Sequence, residues 1–162
     1  MLNEQAGPNL NQGASIFSLN LWTLSLVVLF LALGVSIYLS YDKLADVEAV
    51  CVDNGRFDCG TVLNSAYSEF AGIPIAVLGL ATNVILIGLL LLEPRSAFFA
   101  QNGPTLVFGL NLFTFLFSIY LVYLQAYVIL AYCVWCLTHE ALVFTLFAFS
   151  SIRLWRSLRG EL

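Results

Sequence analysis

Residues 106–152 read LVFGLNLFTFLFSIYLVYLQAYVILAYCVWCLTHEALVFTLFAFSSI, an apolar run interrupted by Gln125, His139 and Glu140. A helix rises about 1.5 Å per residue and a hydrocarbon core is roughly 30 Å thick, so about twenty residues make one crossing. The run is too long for one span and the right length for two. The expected spans are 106–124 and 129–152, with a short turn near Gln125–Tyr127. Tyr120, Tyr123, Tyr127 and Tyr132 gather around that turn. Tyrosine is favoured where its ring can sit in lipid and its hydroxyl in water.

Outward from this run, the chain repeats the pattern. Leu21–Tyr41 is an uncharged first span, and Ile73–Leu92 is a second, entered through Gly72 and Pro74 and ended by Glu93-Pro94-Arg95. Residues 1–20 read as a loose or interfacial tail, with no basic stretch or cleavage site to suggest a signal peptide. Residues 101–104, Gln-Asn-Gly-Pro, read as a loop, and residues 156–162 as a C-terminal tail. Residues 42–72 form the one substantial polar segment, with Asp53-Asn54-Gly55 as a turn within it. Only 10% of the 162 residues are charged, too few to coat a soluble domain, which carries about 25%. The expected fold is all-α: an integral membrane bundle of four transmembrane helices, residues 21–155, with the 42–72 loop between helices 1 and 2. No basic stripe with interleaved aromatics supports nucleic-acid binding.

Arg153, Arg156 and Arg159 follow the fourth span, and Arg95 lies on the same side. The other side holds Lys43 and Arg56 within an acidic loop. The positive-inside rule therefore places both termini in the cytoplasm of a multi-pass protein of the cell (inner or plasma) membrane. Cys51 and Cys59, in the loop, and Cys133 and Cys136, at the outer end of the last span, then converge on the extracytoplasmic side, where disulfides persist.

Four thiols so placed admit three chemistries. A loop pair and a helix-end pair can relay electrons by thiol–disulfide exchange, two electrons per step, between a soluble protein and a membrane-dissolved quinone. They can be plain structural disulfides. They can also bind zinc, although Cys-x7-Cys is wider than the usual zinc spacing and no metal is expected. A thiol near a helix N-terminus is stabilised as the nucleophilic thiolate.

Cys51-x7-Cys59, then Ser65-Ala66-Tyr67-x-x-Phe70-Ala71-Gly72-Ile73-Pro74, then Cys133-Val134-Trp135-Cys136 on the last span, together resemble the vitamin K epoxide reductase family over about residues 20–155. The loop motif is similar to that of prokaryotic members. Many of these carry a fused thioredoxin-like domain; the chain as read has none, so a separate thioredoxin-like or disulfide-oxidase partner is expected. The resemblance implies that Cys51 and Cys59 accept electrons from that partner, and that Cys133 and Cys136 pass them to a quinone (ubiquinone, menaquinone or a vitamin K type), with Cys136 nearest the ring. It also implies that Ser65 lies near the ring. The implied enzyme is of the quinone or vitamin K epoxide reductase type; Glu140 stands where vertebrate-type members carry a tyrosine, a departure that bears on epoxide reduction.

Glu140 and His139 are ionisable residues at membrane depth, which are costly and usually functional or paired. Glu140 lies four residues past Cys136, on the same helix face. Both are expected either to relay protons, since quinone reduction consumes two, or to hydrogen-bond neighbouring helices. Asn83 and Asn111 are expected to be interhelical hydrogen-bond donors, with Asn83 and Glu140 as further quinone-contact candidates. The last arginines read as topology signals. Two other readings remain at this stage. One is the unrelated bacterial disulfide-forming quinone reductase, which places its Cys-x-x-C elsewhere. The other is a non-enzymatic, claudin-like four-span protein with structural disulfides.

Overall fold

The computed structural model describes residues 10–47, 49–51 and 55–159, with side chains from Asn20 onward. Four of its helices are long and apolar enough to cross a membrane. In chain order, α1 is Leu10–Ala45, α2 is the short Cys59–Leu63, α3 is Ile75–Leu92, α4 is Ala97–Tyr123 and α5 is Val134–Leu158. The fold is an all-α membrane bundle. Inside lipid every backbone polar group must pair within the chain, and an uncharged apolar segment does so as a helix. Phe30, Leu31, Val84 and Leu116 are exposed on the bundle, as the lipid-facing surface requires. Of the expected turn at 53–55, Asp53 and Asn54 lie outside the described residues, as does Glu48.

Leu29, Leu86, Ile87, Leu90, Val107 and Leu146, drawn from α1, α3, α4 and α5, form the core of the membrane section. Apolar burial drives helix association weakly when lipid is the alternative, so packing and interhelical hydrogen bonds carry more of it. Two such bonds join α1 to α3: Trp22 Nε1–H donates to the Leu90 carbonyl at 3.2 Å, and the Asn83 amide donates to Ser36 Oγ at 2.9 Å. Asn111 is buried on α4. A second cluster, Leu39, Cys59, Val62, Ala131 and Cys133, lies at the end of the bundle that holds the cysteines.

Between α2 and α3 the chain makes a small hairpin. Glu69 pairs with Pro74 and Phe70 with Ile73, so Ala71 and Gly72 form a two-residue turn. Both have positive φ, 52° and 80°, the backbone that a hairpin of this length requires. Pro74 then stands at the entry to α3, where its missing N–H costs nothing.

Several boundaries differ from the sequence expectation. Residues 10–20, read as tail, continue α1, because extending an existing helix adds one hydrogen bond per residue without a new nucleus. Residues 101–104, read as a loop, lie inside α4, with Gly103 and Pro104 buried. Proline is tolerated in membrane helices where neighbours compensate for the lost hydrogen bond. Gly103 also lets α4 approach the 3-10 turn Glu93–Arg95, since a Cβ there would meet Glu93 Cγ at 3.2 Å. The turn near Gln125 is a π-helix, Leu124–Ile129, closed by Leu130 at φ 58°. The last helix therefore starts at Val134 rather than near 129, and it runs to Leu158, into the expected tail. Arg153 is more than a topology signal: it is buried, and its guanidinium donates to both Glu93 carboxylate oxygens at 2.7 Å.

Candidate active site: four cysteines beside a membrane cavity

Cys51 and Cys59 are joined as a disulfide with Cα atoms 6.1 Å apart, and Cys133 and Cys136 are free thiols. Cys51 is half-buried, whereas Cys59 and Cys133 are 1% and 0% exposed within one packed cluster, against which Cys51 and Cys136 also pack. Four sulfurs separated by up to 85 positions in sequence are thus gathered at one end of the bundle.

Both arms of the disulfide loop are fixed to the start of α5. On the first arm, Val50 N–H donates to the Tyr38 hydroxyl and the Val50 carbonyl accepts from Trp135 Nε1–H, each at 2.9 Å. The Tyr38 and Trp135 rings lie 4.8 Å apart. On the second arm, Asp58 N–H donates to the Tyr132 carbonyl at 3.0 Å, and Tyr132 N–H donates to the Arg56 carbonyl at 2.8 Å. These two bonds form an isolated parallel bridge between residues 57 and 132. They hold Cys59, just past Asp58, beside Cys133, just past Tyr132. Asp58 caps α2: its carboxylate accepts from the Thr61 backbone N–H and hydroxyl. Those bonds, the hydroxyl's first, hold its carboxyl below the usual range.

Cys133 is the N-cap of α5 rather than a residue within it, and its sulfur accepts from Cys136 N–H at 3.2 Å. Its thiol is held below the ordinary range, first by the hydrogen bond from the Cys136 thiol, with the Cys136 and Trp135 backbone N–H groups adding; burial and the Asp42 carboxylate oppose this. Its own backbone N–H donates to Gln125 Oε1 at 3.0 Å, and Gln125 is buried. Cys133, its thiol held toward the thiolate, thus packs against the loop disulfide, the proximity that thiol–disulfide exchange requires.

Cys136 borders a cavity of about 560 Å³, within the range of small-molecule sites. The cavity lies between α1, α3, α4 and α5 and is covered at one end by α2 and the hairpin segment. Its wall is mostly apolar, with Ser65, Ser118, Gln125, Cys136, His139 and Glu140 among its polar groups. Ser65 lines the cavity, and its hydroxyl donates to the Val62 carbonyl at 2.8 Å. The Glu140 carboxylate accepts from the Ser118 hydroxyl on α4. Asn83 does not line the cavity. It stands behind His139, in the interhelical role expected of it, contacting Ser36 and His139 Nε2.

Sequence reasoning assigned no role to Gln125, Ser118, Tyr38, Trp135 or Asp58. Asp58-x-x-Thr61 is a helix-start signature, and Gln125 is a lone amide in an apolar run, a costly placement that signals a partner. Tyr38 and Ser118 carried no such signal, because their partners are distant in sequence.

The cluster of four cysteines, the apolar cavity and the four-helix scaffold agree with comparison to known families. The model of the vitamin K epoxide reductase family matches residues 15–151, most of the chain. The chain therefore belongs to the vitamin K epoxide reductase family and is a membrane thiol oxidoreductase.

Proposed function

We propose that the protein oxidises a thioredoxin-like partner and reduces a membrane quinone, so supporting disulfide formation outside the cytoplasm. The observation that carries this reading is the continuous placement of sulfur from surface to cavity: half-exposed Cys51, buried Cys59 against buried Cys133, then Cys136 on the cavity wall.

Quinone takes two electrons from the Cys133/Cys136 dithiol, leaving a Cys133–Cys136 disulfide, and two protons complete the quinol. The partner's dithiol attacks the Cys51–Cys59 disulfide at Cys51, the more accessible sulfur, and becomes a disulfide itself. The loop dithiol then attacks through Cys59 at Cys133, restoring both the loop disulfide and the helix thiols. Each step exchanges two electrons through a mixed disulfide. Glu140, on the cavity wall and within reach of the Ser118 hydroxyl, delivers a proton to the quinone, and Ser65 lies along the ring. Ubiquinone, menaquinone and vitamin K-type naphthoquinones share the chemistry required. The arginines after the fourth span support an orientation with both termini in the cytoplasm and the sulfurs on the outer side.

The test is to reduce the purified protein, add ubiquinone or menaquinone, and follow quinol formation. Wild type should produce quinol, Cys136→Ala none, and Glu140→Gln should be slower than wild type. Absence of quinol from the wild type would refute the reading.

A further inference from the structure

We propose that His139 is a fixed hydrogen-bond donor, through Nδ1–H, to a carbonyl oxygen of the quinone, and that Asn83 and Ser36 are positioning residues that set its tautomer. The proposal rests on the reading of the cavity as the quinone site. The side-chain amide nitrogen of Asn83 lies 2.9 Å from Ser36 Oγ and 3.2 Å from His139 Nε2. In this orientation of the amide its nitrogen, which carries two hydrogens and accepts none, donates in both contacts. His139 Nε2 is then the bare, accepting nitrogen, and the proton of the neutral ring sits on Nδ1.

The three residues come from three helices: Ser36 from α1, Asn83 from α3 and His139 from α5. Ser36 and Asn83 are 2% and 3% exposed, so both bonds are buried. Their loss would leave a buried amide unpaired, which costs more than an ordinary hydrogen bond contributes. Gly79 leaves room at the ring edge, since even a Cβ there would stand 3.9 Å from His139 Cε1. Among the described residues, His139 has no further side-chain hydrogen bond, and its ring borders the cavity three residues past Cys136.

A quinone carbonyl accepts hydrogen bonds and donates none, so it complements a fixed donor. As the carbonyl gains negative charge during reduction, a donor already in position stabilises it further without reorganisation. The adjacent residues thereby divide the work: His139 holds and polarises one carbonyl, and Glu140 supplies a proton. An imidazole pinned in this tautomer by an amide serves as a donor rather than as a proton carrier.

His139 is the only histidine in the chain, so histidine-selective 15N labelling yields one pair of ring resonances from the full-length protein in detergent. The expected result at neutral pH is a neutral ring protonated at Nδ1. Adding menaquinone should shift the Nδ1 resonance, and Asn83→Leu should mix the two tautomers. In turnover, His139→Leu should raise the quinone KM about three- to tenfold, the loss of one neutral hydrogen bond. His139→Asn places an amide nitrogen near the Nδ1 position and should restore KM to within about twofold of wild type, well under that loss. A wild-type ring protonated at Nε2, or an unchanged quinone KM in a folded His139→Leu protein, would overturn the proposal. A wild type that forms no quinol would instead overturn the quinone reading, and the ring resonances, read without turnover, separate the two failures.

Discussion

Cys133 combines full burial with a thiol held below the ordinary range, chiefly by the hydrogen bond from the Cys136 thiol. Burial alone would push a thiol the other way, so the helix-start hydrogen bonds outweigh desolvation at this residue. The sign has two consequences. The Cys133 thiolate persists at lower pH than in the unfolded chain. Its stabilisation of the reduced protein is complete above the ordinary thiol pKa and is lost as pH falls through the lowered folded value. Ultraviolet thiolate absorbance of the reduced protein should therefore show a transition below the ordinary thiol range of about 8.5. Cys136→Ala should move the Cys133 transition upward, and Cys133→Ser should remove it. A transition that stays in place in Cys136→Ala would show that the neighbouring thiol does not set it.

At the scale of elements, the π-helix Leu124–Ile129 is what allows the last helix to begin at a cysteine. An α-helical turn here would have carried the chain straight on; the π turn and the left-handed Leu130 redirect it, and single π turns recur at functional sites. The redirected segment needs an acceptor for the buried Cys133 N–H, and Gln125, within the π turn, supplies it. Gln125→Leu removes that acceptor. It should destabilise the protein by about 1–3 kcal/mol, the cost of a buried unpaired donor, measured by denaturant unfolding in micelles. Gln125→Glu keeps an acceptor at the same place and should lose less only if its carboxyl is tolerated beside the cavity. Equal stability of Gln125→Leu and wild type would show that water or a shifted backbone satisfies the Cys133 N–H. The arm held by Tyr38 and Trp135 works in the same way on the loop side, fixing Val50 by both of its backbone groups.

Across the whole molecule, the two ends of the bundle are stabilised differently. The cysteine end is held by a disulfide and by backbone bonds between segments. The opposite end is held by Arg153 on α5 and Glu93 after α3, with side chains only 6% and 14% exposed. A buried ion pair contributes little net stability over an apolar pair, but removing one partner strands the other. Arg153→Leu should thus cost about 3–5 kcal/mol, and the double change Glu93→Leu with Arg153→Leu should recover most of that. Non-recovery in the double variant, read from the same unfolding curves, would mean that the pair itself stabilises the fold.

The sequence by itself determined the class of fold, because apolar run length and scarcity of charge are properties of composition that a bilayer reads directly. It also made the four cysteines and the Ser65–Pro74 motif legible, since these are local patterns. The exact helix limits were not legible. Polar residues such as Gln101–Pro104 look like a loop, yet lie within α4 because its packing tolerates buried Gly103 and Pro104. Only the tertiary structure decided which groups meet: Gln125 with Cys133, Ser118 with Glu140, Trp135 with Val50, and Asn83 with both Ser36 and His139. Each of these pairs involves a side chain whose partner is set by helix rotation and approach. Those quantities depend on the packing of the whole bundle and leave no periodic signal in a single segment.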